Sequence, residues 1–177
     1  TFTMEKIYLW KDQTIKTKTD RPSIVPFLID KPQAPAILII PGGGYGTVCS
    51  DREGEPIAMA FMPYGYNAFV LHYSVNGATY PTQLIELAKA IKYVKDNADE
   101  FNIDPNNIFT VGFSAGGHLA GSLGTLFNTP EFSNAFRQDA HIRPDAMVLA
   151  YPVITADEHA HSGSIEAVSG AKEGSEE

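Results

Sequence analysis

The chain has 177 residues with 13 basic and 21 acidic side chains, a net charge of -8, 44% apolar and 19% charged residues. Those values suit one globular domain with its own core, and the acidic balance argues against a nucleic-acid partner. No apolar run reaches the ~18 residues of a membrane helix, so no membrane partner is expected. Cys49 is the single cysteine, which rules out an intrachain disulfide and suits a reducing compartment. The opening residues Thr1-Phe2-Thr3-Met4-Glu5 lack the pattern of a signal peptide. The expected location is the cytoplasm, with secretion open if a leader precedes Thr1.

Short β-prone pieces come first, around Lys6–Trp10, Thr14–Thr19 and Ile24–Ile29. Ala36-Ile37-Leu38-Ile39-Ile40 follows as an unbroken apolar run. Unbroken apolarity, unlike alternation, means a strand covered on both faces, as in a parallel sheet under helices. It stops at Pro41-Gly42-Gly43-Gly44-Tyr45-Gly46. Glu55–Met62 reads as a helix ending before Pro63 and Gly65, and Asn67–Tyr73 as a second buried strand. Pro81 suits a first helical turn, and from there Leu84, Leu87, Ala88, Ile91, Val94 and Ala98 form one apolar stripe at helical spacing. Asp104-Pro105-Asn106-Asn107 predicts a turn, Ile108–Phe113 a strand, Ala115–Phe127 a helix and Ala146–Tyr151 the last clear strand. The tail from Asp157 is polar and acidic. Strands alternating with helices predict an α/β fold with a mostly parallel central sheet and helices on both faces. The opening strands predict an antiparallel edge.

Gly112-Phe113-Ser114-Ala115-Gly116 has the pattern Gly-x-Ser-x-Gly and lies between a predicted strand and a predicted helix. A chain that turns sharply from strand to helix at Ser114 lifts its hydroxyl to the carboxyl edge of the sheet, where open α/β sheets bind ligands. Positions two residues either side then approach each other closely, so Gly112 and Gly116 avoid collisions. Ser114 is the candidate nucleophile. The other reading is a glycine-rich turn with an incidental serine.

Acyl transfer needs N–H donors aimed at the oxygen of the tetrahedral intermediate. The backbone N–H of Ala115, next after the nucleophile, is one candidate. Gly43 and Gly44, in the loop after the earlier central strand, are the others. A flexible or phosphate-binding loop is the alternative, but the spacing Gly-x-Gly-x-x-Gly and a Walker-type ending are absent.

On Ile39-Ile40-Pro41-Gly42-Gly43-Gly44-Tyr45, Asp104-Pro105-Asn106-Asn107-Ile108, Gly112-Phe113-Ser114-Ala115-Gly116-Gly117-His118-Leu119-Ala120 and Tyr151-Pro152-Val153-Ile154, the sequence resembles the α/β-hydrolase family. More narrowly, it resembles the acetyl-xylan-esterase-like and hormone-sensitive-lipase-like serine esterases. Pro41 stands where lipase-type members usually carry His, which favours the acetyl-esterase-like branch. The resemblance implies deacylation of small esters, with acetylated plant polysaccharides or oligosaccharides as substrates and no metal or organic cofactor.

The fold's order of triad residues is Ser, then Asp or Glu, then His. The resemblance places the acid and the base beyond the strand at Ala146–Tyr151, each after a further βα unit of roughly 30 residues. The triad Asp and His are therefore expected outside this sequence, and the sheet is expected to lack its last strands. An open sheet edge invites association, so a homodimer or a complementing C-terminal segment is an expected partner. Asp157, His159 and His161 follow Ser114 in the right order but crowd one stretch. They read as pocket-mouth residues, and His159 and His161 make a weak metal pair without a third ligand. His118 should point under the turn at Ser114 in a buried hydrogen bond. Tyr45, Tyr73 and Tyr80 are candidate pocket walls. A peptidase of the same fold and a non-catalytic binding or assembly domain remain as competing functions.

Overall fold

The structure is a computed structural model that describes residues 5–9, 22–130, 132 and 140–170. Among these, six strands form one sheet: β1 (Ile7–Tyr8), β2 (Ser23–Phe27), β3 (Ala34–Ile40), β4 (Asn67–His72), β5 (Ile103–Phe113) and β6 (Ala146–Ala150). Their order across the sheet is β1-β2-β4-β3-β5-β6. The β1–β2 and β2–β4 pairs are antiparallel and the rest are parallel, which makes the opening strands the antiparallel edge expected of them. The expected piece at Thr14–Thr19 lies outside the described residues. This is the expected α/β architecture with a mostly parallel sheet.

Among the described residues, the α-helices are α1 (Ser50–Glu53), α2 (Glu55–Phe61), α3 (Thr82–Asp96), α4 (Ala115–Leu126) and α5 (Ser162–Ser169). β3 explains the layering. Ala36, Leu38 and Ile40 enter the larger core with Leu84, Leu87, Ile91 and Val94 of α3 and Leu119 and Leu123 of α4. Ile37 and Ile39 turn the other way, onto Ala58 of α2 with Val70 and Val111. A strand buried on both sides cannot alternate polar and apolar, which is why its run is unbroken. Each fully buried Ile or Leu contributes about 1.5–3 kcal/mol relative to exposure.

Three expectations shift in detail. Pro81 stands at the N-cap of α3, just before the first turn, and follows a cis Tyr80–Pro81 bond. Asp104–Asn107 falls within the bounds of β5, yet pairing jumps from Ala34↔Ile103 to Ala36↔Ile108, so these residues loop out of register. Asp104 Oδ1 accepts the Asn106 N–H at 2.9 Å and Oδ2 accepts the Asn107 amide at 2.6 Å. The expected turn is thus a bulge stapled by one carboxylate.

The tail is not only polar. It contains α5, which ends at Gly170 in the left-handed conformation (φ 75). Tyr80 N–H donates to Val168 O at 2.7 Å, and Ala167 and Val168 pack against the larger core. At the other side of the sheet, β6 pairs among the described residues with β5 alone. Its Met147, Val148 and Leu149 are 40%, 56% and 38% exposed, an apolar edge unlike the buried strands beside it. Among the described residues no helix is long and apolar enough to cross a membrane.

Candidate active site

β5 delivers the chain to Ser114, and α4 leaves from it. Ser114 has φ 53 and ψ −117, a conformation that non-glycine residues rarely adopt. Neighbours hold it there. Ser114 N–H donates to Ala150 O at 3.0 Å, while Ser114 O accepts from Val153 N–H at 3.3 Å and His118 N–H at 3.0 Å. The two motif glycines follow from crowding. A Cβ on Gly112 would run into the backbone of Gly116 and Gly117, and one on Gly116 into the carbonyls of Ile40 and Pro41. The end of β3 therefore abuts the turn, and the glycine loop starts beside the serine.

That loop turns at three successive positive-φ residues, Gly43 (132), Gly44 (62) and Tyr45 (59). Gly43 O accepts from Gly46 N–H at 3.1 Å and Thr47 N–H at 3.2 Å, and Gly42 O accepts from Cys49 N–H at 2.9 Å. Gly42 N–H donates to Glu53 Oε2 at 2.7 Å. The N–H groups of Gly43 and Gly44 have no hydrogen-bond acceptor among the described residues. Ala115 opens α4, whose first-turn N–H groups lack intrahelical partners and carry the positive end of the helix dipole. The three expected donors thus keep N–H groups that a ligand can use.

Tyr45 and Tyr73 do not wall the pocket. They are 2% and 3% exposed and lie beneath the loop as its supports. Tyr73 Oη donates to Pro41 O at 2.6 Å. Tyr45 Oη lies 2.7 Å from His118 Nδ1, and the two rings meet edge-on at 5.8 Å between centroids. Phenols buried this way have raised pKa values, and burial lowers that of His118, so all three rings stay neutral near pH 7. His118 hydrogen-bonds under the turn and is half-buried there, where a buried residue was expected. Tyr80 is 56% exposed.

Ser114 opens into a cavity of about 260 Å³ that Tyr151, Pro152, Ile154, His159 and His161 also line. His159 and His161 thus both line the cavity that Ser114 opens into. Neither is the base of a triad here: the Ser114 hydroxyl has no hydrogen-bond partner among the described residues. His161 Nδ1 instead pairs with Ser164 Oγ at 2.8 Å, at the start of α5. His159 N–H donates to Asp157 Oδ1 at 2.9 Å. Among the described residues no group of three or more His, Cys, Asp or Glu side chains could hold a metal ion. A larger cavity, of about 640 Å³, lies near the start of β6 and is lined by Lys95, His141 and Asp145 among others. Lys95 and Asp145 there lie 3.4 Å apart and His141 and Asp96 2.6 Å apart, and the cavity is far from the Ser114 turn and the glycine loop, so the smaller cavity at Ser114 is the candidate site.

Two residues at the site escaped the sequence reading. Glu53, eleven residues after Gly42, accepts the Gly42 N–H and also a 2.9 Å bond from Tyr151 Oη. Ser164, only 1% exposed, sits beneath Gly44, with its hydroxyl 3.4 Å from where a Gly44 Cβ would be. The acidic Asp51-Arg52-Glu53 stretch gives no signal that one carboxylate turns inward. For Ser164, Ile165 and Val168 at helical spacing before Gly170 would have suggested a helix.

The family profile described as BD-FAE matches residues 27–169. Among curated proteins, the chain is 39% identical over 145 residues to endo-1,4-beta-xylanase B of Butyrivibrio fibrisolvens, covering 80% of this chain and 23% of that protein. It is 31% identical over 135 residues to an acetylxylan esterase of Xylanibacter ruminicola, covering 76% of this chain and 26% of that protein. Among solved structures, an acetyl ester-xyloside bifunctional hydrolase from Caldicellulosiruptor lactoaceticus superposes with a TM-score of 0.83 at 38% identity, over 96% of this chain and 65% of that one. The chain therefore spans about a quarter of those curated relatives and just under two thirds of that solved structure.

Proposed function

Since the chain belongs to the BD-FAE family of α/β-hydrolases, we propose that it supplies the nucleophile and oxyanion hole of a serine carboxylesterase. Its substrates are small acyl esters, acetyl above all, on plant polysaccharides or their oligosaccharides. Ser114 Oγ attacks the ester carbonyl carbon and its proton passes to a base. The C–O bond to the sugar breaks, the sugar oxygen takes the proton, and the acyl group stays on Ser114 until water releases it as a carboxylate. Gly43, Gly44 and Ala115 N–H groups receive the oxyanion, a term commonly worth about 3–4 kcal/mol per donor.

The single observation that carries this reading is the meeting of two features from distant parts of the chain. A serine held at φ 53 lies against a glycine loop whose second and third glycine N–H groups are unengaged among the described residues. The acetyl-ester substrate rests on the acetylxylan esterase relative. A base and an acid are still required. We place them, a His and an Asp, in a segment that joins at the apolar edge of β6.

The test is acetate release from acetylated xylo-oligosaccharides by the full-length protein, set against turnover of peptide anilides. Acetate release without peptide cleavage is the expected result; peptide cleavage alone would move the assignment to a peptidase. One observation favours a non-catalytic domain: the Ser114 hydroxyl has no base within hydrogen-bond reach among the described residues. That reading predicts that a fluorophosphonate leaves Ser114 of the full-length protein unlabelled.

A further inference from the structure

Glu53 sits where three parts of the site converge. It ends the four-residue α1 and is half-buried. Oε2 accepts the Gly42 N–H at 2.7 Å and Oε1 accepts the Tyr151 hydroxyl at 2.9 Å. Gly42 is itself wedged against the turn that carries the nucleophile. A Cβ there would lie 2.8 Å from Glu53 Oε2, 2.8 Å from Phe113 O and 3.0 Å from Ser114 Cβ. Tyr151 follows β6 in an uncommon backbone conformation (φ 37), lines the Ser114 cavity and tilts its ring over Phe113 at 5.9 Å.

One carboxylate thus ties the loop after β3 to the loop after β6 across the turn after β5. We propose that Glu53 is the positioning residue of the oxyanion hole. By engaging the Gly42 N–H it fixes the peptide plane from which the chain enters Gly43 and Gly44. Their N–H groups are thereby held toward the space beside Ser114. By holding the Tyr151 hydroxyl it also sets the position of the aromatic ring that lines the Ser114 cavity. Glycines have the widest backbone freedom of any residue; bonds to Gly42 O and Gly43 O shape the turn from within and Tyr73 Oη holds Pro41 O, while Glu53 ties the same Pro41–Gly42 peptide to the loop after β6. An oxyanion hole lowers the barrier only if its donors are already aimed. Glu53 touches no reacting atom; it acts through Gly42 and Tyr151.

This inference rests on the esterase reading, and the test separates the two. Full-length wild type, S114A, E53A, E53Q, E53D and Y151F are compared on p-nitrophenyl acetate, with kcat and KM resolved and thermal midpoints recorded. Turnover in wild type that vanishes in S114A establishes the esterase; its absence overturns the esterase reading and this inference with it. Given that turnover, E53A is expected to lose kcat on the order of tenfold or more while KM stays within about twofold, because aiming the donors acts on the transition state. E53Q keeps an acceptor for Gly42 and an N–H for the phenol oxygen, and is expected to recover most of the loss. E53D keeps the charge but is shorter by about 1.5 Å, one C–C bond, and cannot hold both partners. Its kcat is expected to fall as in E53A. Y151F breaks one of the two ties and is expected to fall between wild type and E53A.

Wild-type kcat in E53A overturns the inference while leaving the esterase intact. So does an order in which E53D outperforms E53Q, since that would make charge, not geometry, the contribution of Glu53. Where E53A fails to fold, the E53Q and E53D pair decides on the same criterion.

Discussion

Tyr45 Oη and His118 Nδ1 lie 2.7 Å apart, which joins the end of the glycine loop to the first turn of α4 behind Ser114. The two halves of the site are thereby held in one register from below. Tyr73 Oη adds a second brace through Pro41 O at 2.6 Å. The pocket surface is built by Ser114 and the residues after β6, while the phenols under the loop keep its shape.

Tyr45→Phe removes one partner of that bond and leaves the half-buried His118 nitrogen unsatisfied. The expected cost is about 1–3 kcal/mol in urea unfolding monitored by circular dichroism. Tyr73→Phe is expected to cost a similar amount by freeing Pro41 O. A midpoint unchanged in both variants would show that the phenols support the loop by packing alone.

Burial pushes the Glu86 carboxyl up to about 7, against the lowering effect of the Ser74 N–H, which donates to both its oxygens at 2.9 and 3.3 Å. Its ordinary value is 4.5. Between 4.5 and about 7 the folded chain holds a proton that the unfolded chain has released, so this group lowers stability as pH rises through that window. The loss is on the order of 3 kcal/mol and is complete above the folded value. Glu86→Gln keeps an acceptor for Ser74 and carries no charge. It is expected to be more stable than wild type at pH 8 and about equal at pH 4, as read by urea midpoints. Equal midpoints at both pH values would contradict the buried, protonated state.

His118 has the opposite sign. Burial lowers its pKa, so the unfolded chain takes up a proton first as pH falls below the ordinary 6.5. Its contribution is present above that value and is lost as pH drops through the folded value. His118→Gln is expected to remove this acid-side loss while leaving the Glu86 slope in place. A double variant with Glu86→Gln should show the two effects adding, because His118 bonds Tyr45 and Glu86 bonds Ser74, with no partner in common among the described residues.

Gly116→Ala places a methyl group against the carbonyls of Ile40 and Pro41, which are backbone atoms and cannot swing away. The expected result is a loss of several kcal/mol, or no folded protein, read from expression and thermal midpoint. Gly77→Ala is the control. It has φ 103 but nothing within 4 Å of the added Cβ, so only backbone strain remains and the cost should be about 1–2 kcal/mol. Similar losses at both positions would mean that crowding at the turn is not what requires Gly116.

The layering was legible because buried parallel strands and the α3 stripe have strong periodic signals. The apolar run at Ile37–Ile40 and the turn at Ser114 were readable for the same reason: each residue type answers a local constraint. What was not legible depends on contacts between distant segments. Nothing about Glu53 in its own stretch distinguishes it from Asp51, and only the fold turns its carboxylate toward Gly42 and Tyr151. Tyr45 beside glycines reads as a pocket aromatic, yet the positive φ at Tyr45 turns its ring inward to His118. α5 was missed because Ser162, Gly163 and Ser164 are poor helix formers, and its stability comes from packing against Gly44 and the Tyr80 loop.

The central claim is that Ser114 is the nucleophile, and the most direct measurement is p-nitrophenyl acetate hydrolysis by the full-length protein and its Ser114→Ala variant, with intact mass recorded after fluorophosphonate treatment. A Ser114 nucleophile predicts turnover and a single adduct in the wild type, with both lost in Ser114→Ala. Undiminished turnover in that variant, or an adduct on another residue, would contradict it.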